Sequence, residues 1–301
     1  MDDDDDLHTI KTIFLSLYPI IFILGFVGNV ISFIVFSQKR FRNTLFNVYF
    51  RALNLIYSFT ITYTLFDYFN YQFNANIQTV SWLFCHFNLY LIYSIAPVAA
   101  WLLVVISLDR MLSTKYPSKY LMRKNKRIQI LICIFFLIFN LIYYIPLAIY
   151  QNYEETFNNV TNMTDVTCTL NDSGVVYWMD LFNSTLIPFI FMTAFSTITV
   201  RHLFKSRLNI LNRINQKDYK FAITSISMNV CFFVLNSPIV IVPLIFNYVD
   251  IDQKLYDLFY VISIIPYYVD FGLIFYINIF VNSLFRQEFL DTIYSRFKIN
   301  N

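Results

Sequence analysis

Four stretches of this chain contain no charged residue, and each is long enough to cross a lipid bilayer. Asp, Glu, Lys and Arg are absent from Thr12–Gln38, Ile128–Tyr153, Leu181–Val200 and Phe221–Val249. An α-helix rises about 1.5 Å per residue, so about 20 apolar residues cross a hydrocarbon core that is about 30 Å thick. Each stretch therefore predicts one transmembrane helix.

Three further apolar stretches complete a set of seven. These are Ala52–Phe69, Trp82–Leu108 and Leu255–Phe285. The charged residues within them are Asp67 in the first and Asp257 and Asp270 in the last, while Trp82–Leu108 has none. The seven stretches are numbered below as spans one to seven in chain order.

The composition excludes most soluble folds. Apolar residues make up 57% of the 301 residues and charged residues only 14%, whereas soluble domains carry about 25% charged residues. The alternative is a soluble bundle with unusually apolar helices, but buried soluble helices are shorter and amphipathic. A transmembrane β-barrel is excluded because its strands alternate and are shorter. The fold class predicted is an all-α membrane protein, a seven-transmembrane helix bundle with a short amphipathic eighth helix.

Basic residues set the orientation of the bundle. Of the 22 Lys and Arg residues, 19 lie between spans one and two, three and four, or five and six, or after span seven, not counting Arg51, which lies at the cytoplasmic end of span two. The positive-inside rule places these segments in the cytoplasm and the N-terminus outside, so we expect a multi-pass protein of the plasma membrane. Span one is expected to act as a signal anchor. The predicted organisation is an extracellular acidic N-terminus at 1–11, a seven-helix domain at 12–282, and an amphipathic helix with a short tail at 283–301.

The segment between spans four and five carries extracellular chemistry. It contains three glycosylation sequons, at Asn159, Asn162 and Asn171. It also contains Cys168, while Cys85 opens span three, on the same side of the membrane. Since that side is oxidising, we predict a disulfide between Cys85 and Cys168.

The arrangement of these landmarks resembles the rhodopsin-like G-protein-coupled receptors over nearly the whole chain. The resemblance is to a divergent invertebrate member of the peptide or chemosensory type. The residues that carry the resemblance are Gly25-Phe-Val-Gly28-Asn29, Cys85, Asp109-Arg110-Met111, Pro117, Pro188, Phe232 with Pro238, and Phe285-Arg286. The resemblance implies a receptor that passes a signal to a heterotrimeric G protein when span six moves outward.

The inner end of span three is the predicted coupling site. An Arg there is costly to desolvate and is expected to pair with a carboxylate. We predict that Arg110 pairs with Asp109 and, at rest, with Asp218 at the inner start of span six; the alternative for Asp218 is a solvated charge cluster. The resemblance adds Met111 and Pro117 to this site.

Several positions depart from the family pattern and change the expected activation relay. Tyr57 stands where the family has its intramembrane Asp, Asn236 where it has a Trp, and Ile274–Asn278 replaces Asn-Pro-x-x-Tyr. A sodium-binding pocket is therefore not expected. The relay is predicted to use Asn29, Tyr57, Pro188, Phe232, Asn236, Pro238, Asp270, Tyr276 and Asn278.

Two ligand classes are excluded by position, and a third is favoured. Tyr268 stands where opsins carry their retinal-binding Lys, and Ile92 stands where aminergic receptors carry their Asp. Acids and aromatics at the mouth suit a cationic ligand, either by ion pairing or by cation–π contact; alternatively, the acids only balance the basic inner loops. A short basic neuropeptide is the favoured ligand. The predicted contacts are Tyr90, Ile92, Tyr93, Trp178, Asp180, Asn183, Asn247, Asp257, Tyr260 and Tyr268.

Other functions find less support in the sequence. His8, His86 and His202 are too scattered for a metal or proton-relay site, so neither an enzyme nor a metal or other cofactor is expected. A net charge of +3 gives no reason to expect nucleic acid. A channel or transporter would show internal repeats or several intramembrane charges. The main alternative is a degenerate chemosensory or non-signalling receptor on the same fold. The expected partners are a G protein, an extracellular small ligand or peptide, and membrane lipid.

Overall fold

The computed structural model shows a bundle of long helices with one two-stranded sheet. It describes residues 3–42, 47–73, 77–115, 125–158, 163–170, 173–208, 216–249 and 252–299. In the first half of these residues the helices are α1 (Asp3–Ser37), α2 (Lys39–Arg42), α3 (Asn47–Tyr63), α4 (Leu65–Phe73), α5 (Trp82–Lys115), α6 (Lys126–Tyr143) and α7 (Ile145–Tyr150).

The hairpin strands β1 (Gln151–Asn158) and β2 (Met163–Leu170) follow α7. The remaining helices are α8 (Ser173–Asp180), a π-helical turn at Leu181–Leu186, α9 (Ile187–Leu208), α10 (Gln216–Tyr248), α11 (Gln253–Val281) and α12 (Ser283–Ile299). Spans one, three, six and seven correspond to α1, α5, α10 and α11. Span two is α3 with α4, span four is α6 with α7, and span five runs from α8 through the π-helical turn into α9.

The prediction of seven transmembrane helices is confirmed. Six helical segments of the described chain are long and apolar enough to cross a membrane, and span two is the seventh. The outward faces of these helices carry large apolar side chains such as Ile23, Leu131 and Phe135, which are 58%, 63% and 60% exposed. Because soluble proteins rarely leave such extended apolar surfaces in water, these faces are suited to lipid.

Span two is interrupted at Thr64, where α3 ends and α4 begins. Backbone hydrogen bonds continue across the break, from the Thr64 N–H to the Thr60 carbonyl and from the Tyr68 N–H to the Thr64 carbonyl. The Thr64 hydroxyl makes contact with Tyr18 of span one at 2.8 Å. This interruption lies one turn before Asp67, whose position is described below.

Spans one and seven approach each other at two glycines. A methyl group placed on Gly272 would lie 2.6 Å from Cα of Gly25, and one placed on Gly25 would lie 2.4 Å from Cδ1 of Ile61. No larger side chain fits between these backbones without displacing one of them. The two glycines therefore set the distance between spans one and seven, and with it the position of span seven in the bundle.

The hairpin that follows span four was not predicted from the sequence. β1 and β2 are antiparallel, and Tyr153 pairs with Cys168. Val and Thr in β2 and Tyr and Phe in β1 are residues that favour strands, which is the signal that could have revealed it. The predicted disulfide between Cys85 and Cys168 is confirmed, and it fastens the hairpin to the outer end of span three.

The eighth helix, α12, packs against the cytoplasmic ends of spans one and seven. Phe285 is fully buried and lies 5.1 Å from Phe36 of span one, measured between ring centroids. Arg40 forms an ion pair with Glu288 at 3.6 Å and donates a hydrogen bond to Gln287. The predicted amphipathic helix after span seven is thus present, with one face buried.

Several sequence predictions fall outside the described residues. These are Pro117 and the glycosylation sites Asn159, Asn162 and Asn171; the side chain of Asp218 in α10 lies outside them too. The first helix begins at Asp3, ahead of the uncharged stretch that starts at Thr12, so much of the acidic segment is helical. Span five is also longer than predicted, since its helical path begins before Leu181.

Candidate ligand cavity and cytoplasmic contacts

A cavity of 330 Å³ lies between spans two, three, five, six and seven, beneath Cys168 and Leu170 of the hairpin. Eight tyrosines line it, together with two aspartates, Asp67 and Asp180. Among the described residues of its wall there is no Lys, Arg or His. The wall thus combines negative charge with aromatic faces and phenol groups.

Asp67 lies on the side of the cavity formed by spans two and seven. The hydroxyl of Tyr268 on span seven donates a hydrogen bond to its Oδ2 at 2.6 Å. The short helix α4 that carries Asp67 follows the interruption at Thr64. No Lys or Arg is paired with this carboxylate in the described part of the chain.

Asp180 lies on the side formed by spans four and five. It is the last residue of α8, directly before the π-helical turn. The hydroxyl of Tyr144, a fully buried residue between α6 and α7 of span four, donates to its Oδ1 at 2.9 Å. The neighbouring Tyr143 hydroxyl donates to the Met179 carbonyl at 3.2 Å, so span four holds this end of span five at two points.

The floor of the cavity is connected to a third buried acid. Tyr57, Phe232 and Asn236 line the floor. The Tyr57 hydroxyl donates to Oδ2 of Asp270 at 3.1 Å, and the Asn236 side chain is a second hydrogen-bond partner of that carboxylate. Three of the residues predicted for the activation relay, from spans two, six and seven, therefore form one cluster under the ligand cavity.

Five of the ten predicted ligand contacts line the cavity: Ile92, Tyr93, Asp180, Tyr260 and Tyr268. Two others are engaged between helices instead. The Tyr90 hydroxyl donates to the Leu141 carbonyl of span four at 2.9 Å. Asn183 accepts from Trp101 Nε1 at 3.0 Å and donates to Asn140 at 2.7 Å, so it joins spans three, four and five.

The other three predicted contacts lie toward the outer surface, away from the cavity wall. Trp178 is 40% exposed and donates its indole N–H to the Tyr248 hydroxyl at 2.6 Å. Asn247 is exposed beside Gly174, and Asp257 is half-buried near the outer end of span seven. Trp178 and Asp257 were predicted at the mouth of the bundle, in agreement with these positions, whereas Asn247 was expected to reach the floor of the cavity and lies at the rim. Contact of these three residues with a ligand stays a prediction.

Sequence reasoning assigned no ligand contact to Asp67 or to three of the cavity tyrosines, Tyr63, Tyr256 and Tyr267. Tyr177 was expected at the mouth of the bundle, and Asp67 was marked as a position of functional interest without a stated role. The signal that could have identified Asp67 is its acidic charge within an apolar helix, since such residues usually face the interior of a bundle.

The charged pair at the inner end of span three is present. Arg110 donates to Asp109 at 2.7 Å, and both residues are buried. The Arg110 guanidinium also lies over the ring of Phe221 on span six, 5.8 Å from its centroid. The pairing with Asp109 is as predicted, while Met111 is half-buried beside it and the contact with Asp218 stays a prediction.

A second polar contact, not predicted, joins span six to spans three and five. Asn229 on span six donates to the Ser107 hydroxyl at 2.7 Å and to the Ser196 hydroxyl at 3.0 Å. Ser107 also lies 3.4 Å from Ser225. Farther toward the cytoplasm, Lys220 of span six contacts the Ser283 hydroxyl at the start of α12.

The remaining relay residues do not join the Asp270 cluster. Asn29 donates to the Phe271 carbonyl at 2.7 Å and so links spans one and seven. Asn278 is buried and donates to Ile274 within its own helix. The Tyr276 hydroxyl donates to the Leu24 carbonyl of span one at 3.4 Å, and its part in the relay stays a prediction. Pro188 lies at the start of α9 and Pro238 within α10.

Seven membrane-crossing helices around a cavity beneath an extracellular hairpin, with a buried Asp-Arg pair at the inner end of span three, define a transmembrane receptor. The model of the 7-transmembrane receptor family (rhodopsin family) matches residues 28–281, and the chain belongs to this family. It is also 26% identical over 231 residues to the N-arachidonyl glycine receptor of Macaca fascicularis. That match covers 72% of this chain and 66% of the relative's length.

Family membership establishes the location of this protein and the general class of receptor to which it belongs. It is a multi-pass protein of the plasma membrane in a class of G-protein-coupled receptors, so an extracellular ligand and a G protein are its expected kinds of partner. The family is a class of receptors rather than of enzymes.

Proposed function

We propose that this receptor responds to a small cationic ligand, and specifically to a short basic peptide whose terminal residues enter the cavity. The observation that carries the proposal is the cavity wall, which holds Asp67, Asp180 and eight tyrosines and, among its described residues, no basic side chain. Such a wall is electrostatically complementary to a cation.

Each carboxylate keeps the capacity to accept a ligand. An ionised Asp has about four lone-pair sites, whereas Asp67 accepts from Tyr268 and Asp180 from Tyr144 and Ser184. Charge-assisted hydrogen bonds are shorter and stronger than neutral ones, and more so away from water. The tyrosine rings add cation–π contacts, worth about 0.5–2 kcal/mol each.

The size of the cavity limits what enters it. A volume of 330 Å³ is near the lower end of small-molecule pockets, which range from about 300 to 1,000 Å³. The cavity therefore suits an amine or one end of a peptide, and the rest of a peptide would lie on the hairpin. Glu154 and Glu155 are exposed there, and the hydrogen bond that Tyr153 donates to Glu155 raises the pKa of the tyrosine.

The cluster beneath the cavity supports the proposed movement of span six. Asn236 belongs to both the cavity floor and the Asp270 cluster. A ligand that draws Asn236 away from Asp270 would loosen span six at its middle. Outward movement of its inner half would then break the contacts of Asn229 with Ser107 and Ser196, and open a groove for the G protein.

The macaque relative suggests a second ligand class. It is named for N-arachidonyl glycine, a lipid that ends in a carboxylate. Such a group would have to lie beside Asp67 or Asp180, where like charges repel. The apolar lining, with Phe232, Ile239 and Val240, would suit the acyl chain, but the acids favour the cationic ligand.

A screen for signalling in cells tests the proposal. The full chain would be expressed with reporters for the main G-protein classes and exposed to basic peptides, amines and N-acyl glycines. We expect activation by basic peptides or amines, with potency reduced about tenfold or more in Asp67→Asn and Asp180→Asn, since a charged hydrogen bond is worth about 1.5–3 kcal/mol. Asp291→Asn, an exposed residue of α12, is the matched control and should respond like the wild type.

Other outcomes would point elsewhere. Activation by N-acyl glycines alone would replace the cationic ligand with an anionic lipid. Silence toward every compound, with normal delivery to the cell surface, would favour the non-signalling receptor, an alternative in keeping with Tyr57 and Asn236 at positions where the family has other residues.

A further inference from the structure

We infer that the ligand carries two separate cationic groups, one for Asp67 and one for Asp180. This inference rests on the proposed function and names the ligand class more closely. Its starting point is that the two carboxylates lie on different walls of one cavity and are held by different helices.

The two acids are anchored independently. Asp67 is fixed by Tyr268, so its position depends on spans two and seven. Asp180 is fixed by Tyr144, and its position depends on spans four and five. The π-helical turn that follows Asp180 packs against spans three and six, and neither acid hydrogen-bonds a tyrosine of a helix that holds the other. The carboxylates are therefore two distinct sites and not one acidic cluster.

Tyr267 of span seven belongs to the same cavity as the two acids. This residue lines the cavity and interacts electrostatically with both Asp67 and Asp180. Its aromatic ring offers an uncharged surface that can cover the part of a ligand between two charged ends. Tyr93 and Tyr256 line the same cavity and interact electrostatically with each other, so the middle of the cavity is aromatic.

A ligand with one positive charge leaves one of the two carboxylates of this cavity without a counter-charge. The described wall supplies no cation of its own, and an ionised carboxylate without a counter-charge in a low-dielectric site is costly. A monocation neutralises one acid and leaves the other buried beneath the ligand. A dication compensates both, and a peptide with a free amino terminus next to Lys or Arg is such a ligand, as is a linear diamine.

The experiment compares probes that differ by one charge. The full chain would be purified in lipid nanodiscs and its binding measured by calorimetry and by thermal stabilisation. Arg-Phe amide would be compared with its N-acetylated form, and cadaverine with pentylamine. We expect each dication to bind about tenfold or more tightly than its monocationic partner, the usual value of a charge-assisted hydrogen bond.

Substitutions of the two acids test whether Asp67 and Asp180 cause the tighter binding of dications. Asp67→Asn and Asp180→Asn keep an acceptor for Tyr268 and Tyr144, so we expect both variants to melt close to the wild type. Each should lose the preference for dications, while Asp291→Asn should keep it. Because binding is measured without a G protein, a loss of signalling in these variants does not affect the readout.

Three results would overturn the inference: equal affinity for dications and monocations, a preference that survives in both variants, or no binding by any dicationic probe. The proposed function fails separately. If monocationic and dicationic probes activate the wild-type receptor in cells with equal potency through Asp67 or Asp180, the cationic-ligand proposal stands and the two-charge inference falls. If no cation of either kind binds or activates, both fall.

Discussion

The hydroxyl of Tyr57 on span two lies 3.1 Å from Oδ2 of Asp270 on span seven and donates a hydrogen bond to it. In the family pattern, the intramembrane acid belongs to span two at the position of Tyr57. In this chain the acid stands on span seven and its hydrogen-bond donor on span two. The hydrogen bond between them joins spans two and seven in the middle of the bundle.

Replacing Tyr57 by Phe should destabilise the receptor and alter its signalling. The change removes a donor from a buried carboxylate, which costs about 1–3 kcal/mol. Thermal unfolding in nanodiscs measures this loss, and basal G-protein activation measures the change in span six. In a double-mutant cycle with Asp270→Asn, the two losses should not add, because both substitutions act on one bond. Additive losses would mean that the bond contributes nothing measurable.

Gly272→Ala should lower stability through a steric clash. Its new methyl group would lie 2.6 Å from Cα of Gly25, and backbone cannot rotate away. Overpacking of this kind costs about 1–3 kcal/mol or more. Gly174→Ala is the control, since its methyl group would meet the side-chain Nδ2 of Asn247, which is exposed. Equal melting temperatures for the two variants would show that spans one and seven can separate freely.

Loss of the Cys85–Cys168 disulfide should reduce both stability and ligand binding. The bridge joins residues 83 apart in sequence, and a loop of that length is worth about 4–5 kcal/mol in the chain-entropy model. Cys168 also lines the cavity. We expect Cys168→Ser to reach the cell surface poorly and to bind weakly, as measured by surface labelling and binding of a peptide found in the screen. Cys133→Ser, a free cysteine, should behave like the wild type.

Asn183→Leu should affect stability without affecting ligand affinity. Asn183 joins Trp101 and Asn140 between three spans, and its loss leaves their polar groups buried without this partner, at a cost of about 1–3 kcal/mol. Melting temperature and ligand affinity measured on the same preparation separate the two effects. A large loss of affinity with unchanged stability would mean that Asn183 contacts the ligand, as predicted from the sequence.

Asn229→Ala should raise basal signalling. The substitution removes hydrogen bonds that hold span six to Ser107 and Ser196, each worth about 1 kcal/mol, so the outward position becomes several-fold more populated. Asn54→Ala is a suitable control, because Asn54 is equally buried but donates only within its own helix. An unchanged basal level in Asn229→Ala would exclude this contact from the resting state.

Asp218→Ala tests the predicted partner of Arg110. If Asp218 restrains span six at rest, its loss should raise basal G-protein activation, as for Asn229→Ala. No rise, with normal expression at the cell surface, would remove Asp218 from the mechanism.

The number of helices and the disulfide could be predicted because both depend on coarse properties of the sequence. Charge-free stretches reveal membrane crossings wherever they lie, and Cys85 and Cys168 were assigned to the same side of the membrane by loop charge alone. The direction in which each side chain points could not be predicted in this way. Where a helix is apolar on every face, no periodicity shows which residue points inward, so Asn183 was assigned to the ligand and Asp67 was given no ligand contact.

The contacts between residues of different helices could not be predicted from the sequence either. That Asp270 would meet Tyr57 and Asn236 depends on how spans two, six and seven are rotated and spaced, and close contact of Gly25 with Gly272 contributes to that spacing. The residues of the cluster were identified by their departure from a family pattern, but only the three-dimensional structure shows that they are in contact. Tyr276 departed from the pattern equally and lies elsewhere.

The π-helical turn at Leu181–Leu186 changes the rotation of the outer end of span five about the helix axis relative to α9. Such a turn contains one residue more than an α-helical turn, and one residue corresponds to a rotation of about 100°. Deleting a single residue there would restore an α-helix and swing Asp180 away from Tyr144 and the cavity, with every other amino acid unchanged. Ligand preference in this receptor is therefore open to change by chain length alone, through a one-residue deletion or insertion above Ile187.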